Sequence, residues 1–229
     1  MCGRFAFYSP DEAVVRLFGV AEKTALQSGY NLAPTQLVPV LRRTDAGLRR
    51  VDAIRWGLVP FWAKDKAIGN RMINARAETV AEKPAFRQAF RQRRCLVLAN
   101  GFYEWKRVGD KKQPFYITRD DGEPFAMAGL WERWRDRTAA DPPTLETCTI
   151  ITTTPNRLME NIHQRMPVIL DSKPVAEWLD PSAETDVLTS LLGPYGGDGF
   201  VAVPVSTSVN NARNQGAELI EPAGAVIRA

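Results

Sequence analysis

Arg94-Cys95-Leu96-Val97-Leu98-Ala99-Asn100-Gly101-Phe102-Tyr103-Glu104-Trp105 is the stretch on which the fold turns. Cys95–Ala99 reads as an apolar strand. It leads into a glycine and three aromatics that surround one carboxylate. The neighbouring segments repeat the theme. Phe125–Leu130 reads as a buried strand, and the β-branched run Thr147–Thr153 as another. Pro114–Thr118 precedes the hairpin turn Asp120-Asp121-Gly122. Leu37–Leu41 and Val51–Trp56 flank the turn Asp45-Ala46-Gly47, and Val168–Leu170 and Phe200–Val205 are further strands.

Helices are fewer. Ser9-Pro10-Asp11-Glu12 starts a helix that runs to Phe18 and stops at Gly19. Thr79–Phe90 is expected to be helical, with Phe86 and Phe90, and Arg87 and Arg91, at i, i+4. Short helices are expected at Asn156–Ile162, Pro174–Leu179 and Glu184–Leu192. Tyr30–Pro34, Gly57–Met72 and Arg133–Pro143 have turn or loop composition, the second carrying the large aromatics Phe61 and Trp62. No repeat or linker divides the chain. These patterns predict one α+β domain over residues 1–222, dominated by mixed or antiparallel strands, with a frayed tail over residues 223–229.

Composition narrows the function classes. The chain has 229 residues, 45% of them hydrophobic and 24% charged, enough to bury a core and unlike a disordered or fibrous chain. No apolar run approaches the roughly 18 residues that span a membrane, and no basic-apolar leader stands at the start. A cytoplasmic protein is expected. Lys plus Arg number 30 against 26 Asp plus Glu, and 22 of the 30 are arginine. Guanidinium suits phosphate and carboxylate recognition, although a GC-rich genome gives the same bias. A single histidine, His163, excludes chemistry that needs two, and no metal or organic cofactor is implied. Three cysteines without paired spacing argue against disulfides or a zinc site. Cys95 and Cys148 read as strand residues packed in a core.

Cys2 differs, because only Met1 precedes it. Removal of Met1 would leave an α-amine, which titrates near 8, beside a thiol. A 1,2-aminothiol condenses with an aldehyde to an imine, then closes through sulfur to a thiazolidine. The plainer alternative is a buried second residue. Three segments bear on the choice. Ile73–Thr79 places Asn74 and Arg76 two residues apart; they can hold an amine, a carbonyl or an anion, or cap a helix. Glu104, among aromatics, should have a raised carboxyl pKa and suit acid/base work, unless it pairs with a neighbour such as Lys106. His163 sits in the polar segment Asn161–Pro167 beside Arg165, and can move protons, bind phosphate, or be structural.

Together these segments resemble the SOS response-associated peptidase (SRAP) family of abasic-site processing proteins. The resemblance runs from Met1 to about Pro222. It is carried by Met1-Cys2-Gly3-Arg4-Phe5, Tyr30-Asn31-Leu32-Ala33-Pro34, Arg55-Trp56-Gly57-Leu58-Val59-Pro60, Ile73–Thr79, Gly101–Trp105, Ile162–Pro167 and Asn214–Glu218. It implies a compact mixed fold around a twisted, barrel-like sheet flanked by helices. It implies that Cys2 forms a thiazolidine with the ring-opened aldehyde of an abasic site in single-stranded DNA. Asn74 then holds the N-terminal group, Glu104 assists ring opening and proton transfer at the imine, and His163 aids ring opening and reversal. Arg4, Arg76 and Arg165 line the phosphates. Single-stranded DNA with abasic sites, including single-strand/duplex junctions, is the implied partner, and a monomer the implied state.

Trp62 is followed by Ala63 where some members carry two tryptophans, so the aromatic wedge between bases is weaker here or supplied differently. Phe61 and Trp62 can stack on bases or pack against the protein. Asn100 and Gln164 stand where aspartates are frequent, which lowers negative charge near a phosphate-binding surface. Two competing readings remain. One is an N-terminal cysteine hydrolase or peptidase acting on amides, its own Met1 bond included. The other is a non-catalytic single-strand-binding module.

Overall fold

The structure is a computed structural model that describes residues 2–24, 28–138 and 141–228, the side chain of Ser172 excepted. Met1, whose removal the sequence reading requires, lies outside the described residues, as do Ala139 and Ala140 of the expected loop and Ala229 of the expected tail. The strands are β1 (Phe5–Phe7), β2 (Glu22–Lys23), β3 (Gly29–Leu32), β4 (Leu37–Arg43), β5 (Arg49–Trp56), β6 (Asn74–Arg76), β7 (Arg94–Ala99), β8 (Gly101–Val108), β9 (Lys111–Arg119), β10 (Phe125–Trp134), β11 (Leu145–Thr153), β12 (Met166–Pro167), β13 (Ile169–Leu170), β14 (Phe200–Pro204) and β15 (Ile227–Arg228). The helices are α1 (Asp11–Phe18), α2 (Arg87–Gln92), α3 (Ser172–Leu179) and α4 (Thr185–Ser190).

Five strands close on themselves in the order β5-β4-β7-β10-β11. Four neighbouring pairs are antiparallel, and β11 closes the ring against β5 in parallel. An odd ring cannot alternate direction all the way round, so one parallel pair is a topological necessity. The expected mixed, largely antiparallel barrel-like sheet is thus present. Closure leaves no free edges among these strands. It also crowds the interior: a Cβ on Gly129 would stand 2.9 Å from the Thr149 carbonyl oxygen and 3.2 Å from Cys95 Sγ. All six residues of β7 are buried, five of them the apolar run Cys95–Ala99 and the sixth Arg94, whose guanidinium donates to backbone carbonyls.

β7 leaves the barrel at Asn100, and β8 enters a second, antiparallel sheet ordered β15-β14-β9-β8-β1-β3. Asn100 fixes this corner. Its Oδ1 accepts from the Tyr8 and Ser9 amides at 2.9 and 3.0 Å, and its Nδ2 donates to Ser9 Oγ at 2.7 Å. Its amide side chain therefore ties down the Tyr8–Ser9 segment. Alternation along β8 then sorts its side chains. Phe102 enters the main core, and Tyr103 enters a smaller core with Ala6, Tyr116, Val201 and Val203. Glu104 returns to the Phe102 side and is only 2% exposed.

Several local expectations are corrected. Thr79–Phe90 is not one helix: a 3-10 turn at Ala77–Thr79 gives way to turns, and α2 starts only at Arg87. Pro84 is the reason, since it lacks an amide hydrogen and disfavours helical geometry at Lys83. Asn156–Ile162 is a set of hydrogen-bonded turns, with His163 N donating to Met159 O at 2.9 Å. Gly29–Leu32 is a strand, because it finds β1 as a partner. The expected loop at Arg133 starts only after Trp134, where β10 ends. The frayed tail instead returns Ile227–Arg228 to β14. Cys95 and Cys148 are buried in the core as expected.

A candidate catalytic site at the start of the chain

Two registers bring the site together. In the first, β1 runs antiparallel to β8 with Phe5 opposite Phe102, and the Tyr103 amide donates to Arg4 O at 2.9 Å. One step further, the start of the chain lies alongside Glu104. In the second, β6 runs parallel to β11 with Asn74 opposite Ile150. Asn74 thereby reaches the same point, and its Nδ2 donates to Cys2 O at 2.8 Å. Asn74 Oδ1 is buried without a hydrogen-bond partner among the described residues. An unfilled buried acceptor is costly, and here it stands beside the candidate nucleophile, where an ammonium or a hydroxyl would satisfy it.

Cys2 is fully buried. Burial pushes its thiol well above the ordinary range, and the Glu104 carboxylate adds to this. The sulfur therefore carries its proton at neutral pH. Burial likewise raises the Glu104 carboxyl, against the opposing effect of nearby positive charge, His163 included. The sequence-level expectation of an elevated carboxyl pKa is met in direction. Its partner is not Lys106, since His163 Nε2 lies 3.8 Å from Glu104 Oε2.

The turns from Asn156 hold His163. Asn156 Oδ1 accepts from the Met159 amide, and Asn156 Nδ2 donates to Tyr195 O. The Arg165 amide lies 3.0 Å from His163 Nδ1. An N–H can only donate, so in the neutral ring Nδ1 accepts and the proton sits on Nε2, facing Glu104. When the ring is protonated, the Arg165 carbonyl, 3.1 Å from Nδ1, can accept a hydrogen bond from Nδ1–H. Both charge states have a partner, which suits a proton carrier.

The arginines are placed unequally. Arg165 makes a two-pronged contact to Glu78, at 2.5 and 3.0 Å, and donates to Thr152 O at 2.5 Å. This pair holds the Glu78 carboxyl below its ordinary range. Arg76 is exposed, close enough to Glu78 to add to that effect. Arg4 shares a sheet face with Tyr103 and Ala6, opposite to that of Glu104. Its guanidinium donates to Asn31 Oδ1 at 2.8 Å and to Val209 O at 2.9 Å. Phe61 and Trp62, 41% and 43% exposed, stand on the loop after β5.

Sequence reasoning assigned no role to Asn31 or Glu78. Asn31 is fully buried, and its Nδ2 lies 3.1 Å from each of three carbonyls, those of Val209, Asn211 and Asn214. Gln215 Nε2 closes the hub by donating to Asn31 O at 3.0 Å. Both residues lie inside motifs already quoted, but nothing in their spacing told which partner they would meet.

Among the described residues no cluster of His, Cys, Asp and Glu could hold a metal ion, and no helix is long and apolar enough to cross a membrane. The chain is 46% identical over 226 residues to the abasic site processing protein YoqW of Bacillus subtilis, covering 96% of this chain and 99% of that protein. It is 34% identical over 230 residues to the abasic site processing protein YedK of Escherichia coli, covering 97% and 100%. A crystal structure of a protein from Bacteroides thetaiotaomicron superposes with a TM-score of 0.78 at 31% identity, covering 86% of this chain and 87% of that one. Residues 1–212 match the family profile described as SOS response associated peptidase (SRAP), and the chain belongs to that family.

Proposed function

We propose that this protein processes abasic sites in single-stranded DNA, becoming covalently joined to the lesion through Cys2. One observation carries the reading: Cys2, Asn74, Glu104 and His163, from four distant parts of the sequence, converge where the chain begins. The names of its relatives, abasic site processing proteins, support the substrate.

The chemistry follows from the groups present. Hydrolysis of the Met1–Cys2 peptide first frees the Cys2 α-amine. The abasic sugar is largely a closed hemiacetal. Opening it breaks the C1′–O4′ bond: a proton leaves the C1′ hydroxyl and one is added to O4′, giving an aldehyde and a free hydroxyl. Glu104, which burial keeps protonated further toward neutral pH, and the Nε2–H of His163 are the proton carriers. The neutral α-amine then attacks C1′. The carbinolamine loses water, whose departing oxygen takes the Glu104 proton, and a protonated imine remains. The Cys2 sulfur adds to the carbon of this protonated imine, its proton passing to the Glu104 carboxylate while the C=N electron pair returns to the nitrogen. The product is a thiazolidine. Closure removes the imine, which would otherwise promote β-elimination and strand cleavage. Asn74 holds the Cys2 carbonyl, and its open Oδ1 is suited to the amine or to the new sugar hydroxyl.

Arg165 and Arg76 supply phosphate affinity at the same end of β11. Such contacts read no base and weaken with salt. Phe61 and Trp62 offer stacking surfaces. Mixing the protein with single-stranded DNA carrying one abasic site, followed by a denaturing gel, tests the reading. A shifted, denaturation-resistant band is expected. Its absence overturns the covalent mechanism, and release of ammonia from glutamine in its place would favour an amide hydrolase.

A further inference from the structure

We infer that a second basic surface, separate from the residues around Cys2, carries the backbone of the DNA flanking the lesion. This extends the proposed function and rests on it for the identity of the ligand.

The surface begins at an open cleft of about 580 Å³ walled by Thr35, Arg55, Arg133 and Arg135. A second cleft of about 490 Å³ continues it through the same Arg133 and Arg135 to Arg137 and Phe61. Arg133 and Arg135 flank the buried Trp134, so they stand on one outward face of the chain, about 7 Å apart. That stride is comparable with the spacing of successive phosphates on an extended single strand.

The positive charge is in excess, with four arginines against two carboxylates. Arg55 Nη2 donates to the neutral Asn70 Oδ1, and Arg135 Nε to the neutral Thr144 Oγ1. Arg137 has no carboxylate partner among the described residues. Of the two carboxylates here, Glu146 is shared between Arg42 and Arg133, and Asp136 accepts from the Thr138 amide and hydroxyl.

Two further observations mark a built site rather than a solvated face. Arg55 Nη1 is buried without a hydrogen-bond partner among the described residues, so part of this guanidinium's donor capacity is left unanswered by the protein. Thr35, on the same cleft wall, has φ 77°, a strained conformation for a β-branched residue. Such strain concentrates at functional positions.

Placement supplies the continuity. Along β11, Thr147 faces Arg55 and Ile150 faces Asn74. Three residues of strand span about 10 Å, which one or two nucleotides would cover. Phe61 at the far cleft offers an aromatic face to a base.

The test measures binding by fluorescence anisotropy, using single strands with a central tetrahydrofuran, an abasic analogue that cannot open. Lengths of about 5 and about 25 nucleotides fall at the low end of single-strand site sizes and beyond them. The wild type should bind the long strand at least about tenfold tighter than the short one, with a steep salt dependence. The triple variant Arg133→Ala/Arg135→Ala/Arg137→Ala should lose most of that ratio. The slope of log affinity against log salt on the long strand should fall by about 2, at about 0.7 per phosphate contact. An unchanged ratio and slope in a variant with wild-type melting overturns the inference, and leaves the patch to an acidic protein. A parallel denaturing gel on a natural abasic site reports the covalent chemistry separately, so failure at Cys2 is not confused with failure here.

Discussion

Replacing Glu78 by glutamine should tighten, not weaken, binding to DNA. Glu78 grips Arg165 with both carboxylate oxygens, at 2.5 and 3.0 Å, in the DNA-free protein. It occupies the position relative to the guanidinium that a phosphate would take. Arg76 stands next to the same carboxylate. A phosphate that engages Arg165 must displace Glu78 or share the cation with it. The pair is part-exposed, at 17% for Arg165 and 48% for Glu78, so it contributes about 0.5–1 kcal/mol. Glutamine keeps one acceptor for Arg165 and removes the competing charge. Returning that free energy to the phosphate improves affinity by about two- to fivefold. One more effective phosphate contact should also steepen the salt slope by about 0.7. Anisotropy with a tetrahydrofuran-containing single strand, from low to moderate salt, measures both. Folding stability should fall by no more than the value of the pair. Because Glu78 sits below the ordinary carboxylate range, its contribution is present above that range and is lost as pH falls through the lowered value. Weaker binding with an unchanged slope would show that Glu78 and Arg165 stay closed on DNA, and would refute the displacement argument.

Two other substitutions separate stability from chemistry. Glu104→Gln should slow adduct formation by about 10²-fold or more, yet raise the melting temperature at pH 7.5. Burial raises the Glu104 carboxyl, so the stability tied to this group is complete below the ordinary carboxylate range and is lost as pH rises through the elevated value; glutamine escapes that loss. A variant that melts lower at pH 7.5, or that reacts at the wild-type rate, contradicts this assignment. Asn31→Ala should cost about 3 kcal/mol, because it removes the amide that gathers three carbonyls and Arg4. For a chain of this length that lowers the melting temperature by about 6–12 °C, and a shift of about a degree would show that the hub is dispensable.

How much of this was legible in the sequence depends on whether the deciding partner was local. The strand around Cys95–Ala99 could be read because five consecutive buried apolar residues form a continuous run. The start and stop of α1 were legible because Asp11 and Gly19 act within the helix's own turns, the latter at φ 60°. Pro84 was an equally local signal and was outweighed by the Phe86 and Phe90 spacing, though its missing amide ends any helix through that point. Gly29–Leu32 and Ile227–Arg228 were not legible, because each becomes a strand only by meeting one that is distant in the chain. The same contrast holds at the site. The residue types Cys2, Asn74, Glu104 and His163 suggested the chemistry. Their meeting depends on the β1–β8 and β6–β11 registers, which no local pattern contains. Arg4 shows the limit most clearly. The resemblance gave it a place among the phosphate contacts, and in the DNA-free protein its guanidinium is held by Asn31 and the Val209 carbonyl, partners that no local pattern contains.

The most direct test is the mass of the adduct. Wild-type protein and Cys2→Ala are each incubated with single-stranded DNA bearing one abasic site, denatured, and weighed intact. A thiazolidine requires the wild-type adduct to equal the protein without Met1 plus the DNA, less one water, and requires no adduct from Cys2→Ala. An adduct that retains Met1, or an equally stable one from Cys2→Ala, would contradict the account.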